Sequence, residues 1–218
     1  MKLTKKLSMM VIAVMTAAML LTGCFGGKFD ASGYVRSCLE LVTKGETAAY
    51  MKATKSTKEE ALAVYNAEVK NFVDQLAGQG MPETLNEKYT EFFKKALAAT
   101  KYEVGQAVET KDKGFEVDVT VEPLNNLLTN MESVMEPIME DYAKKNPDKL
   151  TDEKAVMEVV YSTILDELNK RLATPTYGEK KTIKAKVTLK DKVYTLAEES
   201  LEEIGSLLFD VSNESESK

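Results

Sequence analysis

The sequence contains no histidine, and this absence excludes several kinds of site. Ser-His-Asp and Cys-His catalysis both lack their general base. Zinc sites lose their commonest nitrogen ligand, and the chain has only two cysteines, Cys24 and Cys38, to supply sulfur. Phosphate-binding glycine loops and the Gly-x-Ser-x-Gly nucleophile elbow are missing as well. We therefore predict no metal, no cofactor and no enzymatic activity.

The beginning of the chain has the layout of an export signal. Lys2, Lys5 and Lys6 precede an apolar run from Leu7 to Leu21, and small residues follow. The tail of this run, Leu21-Thr22-Gly23-Cys24, resembles the lipobox of bacterial lipoproteins. The resemblance implies cleavage between Gly23 and Cys24 and acylation of Cys24, with chains such as palmitate. The protein would then be anchored on the outer face of the cell membrane.

An uncleaved transmembrane helix is the alternative, because no charged residue occurs between Leu7 and Gly27. Such a helix needs about 20 apolar residues, and the strongly apolar part here is shorter. Both interpretations place the following domain outside the cytoplasmic membrane.

Basic residues are in the minority once the signal is removed. Loss of its three lysines leaves 26 basic and 35 acidic side chains, a net charge of −9. Such a surface repels nucleic acid and provides no polybasic patch for anionic lipid. We expect attachment to the bilayer to rest on the acyl chains of Cys24 alone.

The expected division of the chain has four parts. Residues 1–23 form the lipoprotein signal peptide, 24–29 a short lipidated tether, 30–210 a single α+β domain, and 211–218 a polar, disordered tail.

Two stretches of alternating apolar and polar residues predict β-hairpins. In the first, Tyr102, Val104 and Val108 hold the same phase as the apolar, buried side of strand 115–121, to which a turn at 111–114 connects them. The second covers 183–197, with a turn at Asp191-Lys192. The outer side of 115–121 is acidic and that of 183–189 is basic, so we predict that these strands are neighbours in one four-stranded antiparallel sheet. The runs 110–115 and 189–194 share Lys-Asp-Lys, which indicates either duplication or coincidence.

Apolar residues at helical spacing predict about six helices packed against the sheet. The first runs over 33–43 with Asp30 or Ser32 as its cap, and the second begins at a capping box of Ser56 and Glu59. The others begin at Pro82, Pro123, Thr151 and just before Leu201. Pro137 should kink or break the fourth helix near Ser133.

A second resemblance rests on three short runs of the sequence: Phe29-Asp30-Ala31-Ser32-Gly33-Tyr34-Val35, Thr43-Lys44-Gly45 and the later strand Tyr102-Glu103-Val104. They are similar to a group of small, uncharacterised lipoproteins of clostridia and related Gram-positive bacteria. This resemblance implies a curved sheet of the cystatin or nuclear-transport-factor type.

Candidate chemical sites each have a structural interpretation, which we favour. Cys38 is expected to be a buried small hydrophobe. Met131, Met135 and Met139 could form a soft metal site, but they share their stripe with Leu, Val and Ile and should pack in the core. The glutamates at the start of the last helix are expected to be exposed to solvent: Glu198, Glu199, Glu202 and Glu203. Four tyrosines that could line a ligand groove are expected to pack in the core instead: Tyr65, Tyr89, Tyr142 and Tyr161.

The leading hypothesis is a membrane-tethered, non-enzymatic extracytoplasmic domain that binds a small ligand, a peptide or an envelope protein. One alternative is a hydrolase of cell-wall or polysaccharide material that uses paired carboxylates. Another is the substrate-binding lipoprotein of a transporter, which would be two-lobed.

Overall fold

The computed structural model describes residues 20–22, 29–125, 127, 131–190 and 193–209. Its helices are α1 (Ala31–Lys44), α2 (Ala48–Thr54), α3 (Lys58–Ala77), α4 (Asn86–Ala98), α5 (Met131–Lys145), α6 (Glu153–Leu172) and α7 (Glu198–Leu208). Its strands are β1 (Leu20–Thr22), β2 (Lys101–Glu109), β3 (Phe115–Glu122), β4 (Lys181–Lys190) and β5 (Val193–Leu196). This is the predicted α+β class.

The strands form one antiparallel sheet in the order β1-β5-β4-β3-β2. The predicted neighbours β3 and β4 do pair, with Glu116 opposite Lys186 and Asp118 opposite Lys184. The Nζ of Lys184 lies 3.4 Å from a carboxylate oxygen of Glu116. Opposite charges on the outer faces therefore meet as the sequence pattern predicted, and they join the two hairpins into a four-stranded sheet.

A three-residue strand, β1, extends this sheet beyond β5. Leu20 pairs with Thr195 and Thr22 with Val193. The predicted cleavage after Gly23 would remove β1 and leave β5 at the edge. Gly23 and Cys24, the Asp191-Lys192 turn and the tail from residue 211 lie outside the described residues.

The inward orientation predicted for Val108 is wrong. The pairing of β2 with β3 shifts between Val104 and Ala107, as a β-bulge does. Ala107 consequently packs against the core, and Val108 is 65% exposed.

The cap of α3 lies one residue later than predicted. Thr57 accepts a hydrogen bond from the Glu60 backbone N–H (3.2 Å), and Glu60 accepts one from the Thr57 N–H (2.8 Å). The hydroxyl of Ser56 lies instead 2.8 Å from that of Thr54. Thr54 closes α2, which the sequence analysis did not predict because seven residues are too few for a clear apolar stripe.

No helix begins at Pro123, in contrast to the prediction. Leu124 forms β-bridges with Tyr177 and Phe209, and its N–H donates to Leu208 over 2.9 Å. The next described helix, α5, has the bounds Met131–Lys145 and continues through Pro137 without a break. These long-range bridges hold the chain extended where local periodicity favoured a helix.

The core lies between the inner face of the sheet and the helices. It is one continuous cluster with contributions from α1 to α7, and its largest fully buried side chains include Tyr34, Tyr89 and Tyr161. Met131 and Met135 are buried in it and Met139 packs against it, as predicted. None of the described helices is both long and apolar enough to cross a membrane.

Candidate functional site

A polar groove lies where β2 begins, between that strand and α1. It has a volume of about 690 Å³. We refer to it as the α1–β2 groove. Its lining comes from α1, the beginning of β2, the end of β3 and the residue before β4, as follows: Arg36, Glu40, Lys44, Thr100, Lys101, Tyr102, Glu103, Val104, Thr120, Glu122 and Lys180.

Side chains of α1 fix this helix against the open edge of β2. The hydroxyl of Ser32 donates to the carbonyl of Gly105 (2.8 Å), and Nη2 of Arg36 donates to that of Val104 (3.3 Å). An edge strand has carbonyl groups without strand partners, and these two bonds satisfy part of that edge. They also set the spacing between the two walls of the groove.

Tyr102 forms an aromatic surface between the walls. Its hydroxyl donates to Thr43 over 3.1 Å, because the Thr43 hydroxyl already donates to the carbonyl of Leu39. Burial raises the pKa of Tyr102, so the ring stays neutral. The Nζ of Lys44 lies 5.9 Å from the ring centroid, which places a cation near the aromatic face.

Lys180 links two carboxylates at the rim. Its Nζ lies 3.1 Å from Glu103 Oε1 and 3.4 Å from Glu122 Oε1. The hydrogen bond to Glu103, and to a lesser extent the one to Glu122, raises the pKa of Lys180. Because both oxygens contact one nitrogen, they lie at most about 6.5 Å apart (3.1 plus 3.4). The cluster is solvent-exposed, so it contributes little to the stability of the fold.

Lys101 forms a second cation–aromatic pair beside this cluster. Its Nζ lies 3.7 Å from the centroid of the Tyr177 ring. The Tyr177 hydroxyl donates to the carbonyl of Ala99 over 2.7 Å, which fixes the ring. The groove therefore combines four cationic with three acidic side chains, and this mixture suits a ligand that carries both signs of charge.

A second depression lies between the segment 80–84 and the beginning of α6, with a volume of about 630 Å³. Met81, Pro82 and Met157 contribute apolar surface, and Glu158 accepts a hydrogen bond from the Thr84 hydroxyl (2.7 Å). The residues that line it include no aromatic side chain.

The candidate residues from the sequence lie outside both depressions. Cys38 is fully buried, and burial raises the pKa of its thiol to about 12. The four glutamates of α7 are exposed at its beginning, as expected for a solvated helix start. Of the tyrosines predicted to pack, Tyr89 and Tyr161 are fully buried and Tyr65 packs against the core, while Tyr142 is half-buried. Across the described ranges, no three His, Cys, Asp or Glu side chains converge on a point that could hold a metal ion.

The groove residues were missed by the sequence analysis. They come from four segments that the chain brings together only through the bulge in β2 and the pairing of β3 with β4. The alternation of Lys101 and Glu103 on the outer side of β2 was the only local signal.

The chain matches no protein-family profile and no curated protein sequence. Its fold is similar to the crystal structure of a protein from Bacillus subtilis subsp. subtilis str. 168 that is described as a "putative lipoprotein (ycdA)". The TM-score is 0.53 and the sequence identity 18%, with 83% of this chain and 56% of that chain covered. The chain thus spans just over half the length of that protein, and the likeness shows a shared fold.

Proposed function

We propose that this chain is a lipid-anchored extracytoplasmic lipoprotein whose domain binds a ligand and does not catalyse a reaction. The observation that carries the anchor is the motif Leu21-Thr22-Gly23-Cys24, whose cysteine lies only five residues before Phe29, and the ring of Phe29 stacks on that of Tyr194. The similarity in fold to a protein described as a "putative lipoprotein" supports this assignment. The location that follows is the outer face of the cell membrane.

Metabolic labelling tests the anchor. Cells that express the chain and grow with labelled palmitate should incorporate the label into the wild-type protein and not into Cys24→Ser. The control variant Cys38→Ser should still be labelled, because it leaves Cys24 unchanged and Cys38 is buried in the domain.

Binding is supported by the α1–β2 groove. Its volume of about 690 Å³ falls in the range of ligand sites, and Tyr102 gives it an aromatic surface beside charged side chains. A small ligand or a peptide with both positive and negative groups fits this lining best. An envelope protein could present such a peptide.

The paired carboxylates of Glu103 and Glu122 favour a glycoside hydrolase as the second candidate. Their separation of at most about 6.5 Å is within the range used by such enzymes. However, a glycosidase acid must hold a proton that it can donate, whereas both carboxylates here contact the ammonium group of Lys180. The arrangement is therefore better suited to ion pairing than to acid catalysis.

A transporter receptor is less well supported. Such receptors close two lobes around a hinge, and the described residues form one sheet with one continuous core.

Thermal-shift screening against peptides, sugars and ions tests binding directly. A ligand at 100 times its dissociation constant stabilises the protein by about 2.7 kcal/mol. We expect the shift to be lost in Lys180→Met and retained in the adjacent Lys181→Met. Cleavage of a polysaccharide that is abolished by Glu103→Gln and Glu122→Gln would instead establish the hydrolase.

A further inference from the structure

The sheet has two ends with different surroundings. The hairpin end consists of the turn from Thr110 to Gly114, the end of β4 at Lys190 and the beginning of β5 at Val193. The groove end contains Lys101, opposite Glu122. The eight residues of β3 separate the two ends by about 24 Å, at roughly 3.4 Å per residue.

Both described segments that flank Cys24 lie at the hairpin end. On one side, Thr22 pairs with Val193, the first residue of β5. On the other side, the ring of Phe29 stacks on that of Tyr194 with 3.9 Å between centroids, and it lies 5.6 Å from that of Phe115. From Cys24 to Phe29 the chain can span at most about 18 Å. An acyl chain on Cys24 therefore brings the bilayer close to the hairpin end, and the packing of Phe29 maintains this after cleavage.

Exposed lysines project at this end. Lys111 and Lys113 lie in the turn and Lys190 at the end of β4, and none of them forms an ion pair with any residue that the structure describes. Two nearby carboxylates already accept hydrogen bonds from the chain itself: Asp112 from the Thr110 hydroxyl, and Asp30 from the Gly33 N–H (2.8 Å).

Among the residues that the structure describes, three further acidic groups lie near this end. Glu109 is exposed at the end of β2, opposite Phe115, and α7 begins with Glu198 and Glu199 near Lys186. Lys111 and Lys113 thus belong to the turn beyond the ends of β2 and β3, whereas Glu109 is the last residue of β2 and Glu198 and Glu199 begin α7.

We propose that the hairpin end lies against the phospholipid headgroups, with Lys111, Lys113 and Lys190 contacting lipid phosphate, so that the α1–β2 groove opens away from the membrane. This orientation rests on the proposed acylation of Cys24. The contact between lysine and phosphate would strengthen an attachment that, from the composition alone, we expected to depend only on the acyl chains. Each such lysine strengthens attraction to an anionic surface about fivefold.

Quenching by lipid-borne quenchers tests the orientation on the full-length, acylated protein in vesicles. A fluorophore is placed at Val108→Cys near the hairpin end or at Thr182→Cys near the groove end, about 14 Å apart along the sheet. Cys24 is acylated and Cys38 is buried, so the added cysteine is the thiol that reacts. With headgroup quenchers in vesicles of 30% phosphatidylglycerol, we expect at least twofold stronger quenching at position 108.

The double variant Lys111→Gln/Lys190→Gln measures the contribution of the lysines, and it should reduce the difference in quenching between positions 108 and 182. The matched pair Lys95→Gln/Lys181→Gln makes the same charge change away from the hairpin end and should leave it unchanged. Equal quenching at the two positions, or stronger quenching at 182, would overturn the orientation. A difference that the hairpin variant does not alter would overturn the phosphate contact. The intact mass of each sample reports acylation separately, so a failed anchor is recognised as failure of the proposed function.

Discussion

The ring of Phe29 stacks on the ring of Tyr194, with 3.9 Å between their centroids and 5° between their planes. This contact joins the last residue of the predicted tether, 24–29, to strand β5. Phe115 and Tyr34 surround the pair, with centroids 5.6 and 5.7 Å from that of Phe29. The packing of Phe29 therefore limits how far the proposed anchor at Cys24 can lie from the sheet.

Phe29→Ala should lower the free energy of unfolding by about 2 kcal/mol. This is less than for a fully buried ring, because Phe29 is only half-buried. The corresponding fall in melting temperature is about 4–8 °C for a domain of this size. Val108→Ala, at an exposed apolar position, should change the free energy by no more than about 0.5 kcal/mol. Equal melting temperatures for Phe29→Ala and wild type would show that the stack is not formed.

Glu60→Ala should destabilise the protein by about 0.5–1 kcal/mol more than Glu59→Ala. Both residues lie in the first turn of α3 and share its dipole, but only Glu60 accepts a hydrogen bond from Thr57 N–H. Urea unfolding of the two variants measures the difference. A larger effect of Glu59→Ala would support the capping register inferred from the sequence, which begins at Ser56.

The Cys38 thiol should not react with maleimide or a disulfide reagent in the folded protein at pH 8. It is fully buried, and burial raises its pKa to about 12, so thiolate is scarce. Reaction should become complete in 6 M guanidinium chloride. Rapid labelling of Cys38 under native conditions, detected by mass, would contradict its place in the core.

Stability should fall at alkaline pH. Burial raises the pKa of Cys38 and of Tyr50 to about 12 in the folded protein, from ordinary values of 9.0 and 10.0. Above about pH 9 the unfolded chain thus binds fewer protons than the folded one, and unfolding becomes easier as pH rises. Each such group contributes at most about 1.4 kcal/mol per pH unit.

Urea unfolding between pH 7 and 11 measures this slope. We expect little change up to about pH 8.5 and a steep decline above pH 9. Tyr50→Phe removes one titrating group and should make the decline shallower. A stability that rises between pH 9 and 11 would contradict the burial of these groups.

The sheet could be predicted because the strands of each hairpin have a clear alternation of apolar and polar residues. Alternation over 115–121 and 183–189 identified the strands, and the opposite charges of Glu116 and Lys186 identified them as neighbours. The orientation of Val108 was not predicted, because a bulge depends on how two strands pair, and Gly105 inside β2 was its one weak local sign.

Pro123 and the groove illustrate the limits of local patterns. The apolar spacing after Pro123 favours a helix, but Leu124 bonds to residues far along the chain, namely Tyr177, Leu208 and Phe209. The groove likewise combines Arg36, Tyr102 and Lys180, whose proximity is a property of the assembled sheet. The lipobox is the opposite case, because it is a local motif in the sequence, and acylation of Cys24 stays a prediction.

The intact mass and N-terminal sequence of the protein recovered from the membrane fraction test the central claim most directly. The account predicts a wild-type chain that begins at Cys24 and carries the added mass of two or three acyl chains, beside an unprocessed, unacylated Cys24→Ser precursor. A wild-type chain that retains residues 1–23 or lacks added lipid, or a Cys24→Ser chain that is still processed and acylated, would contradict it.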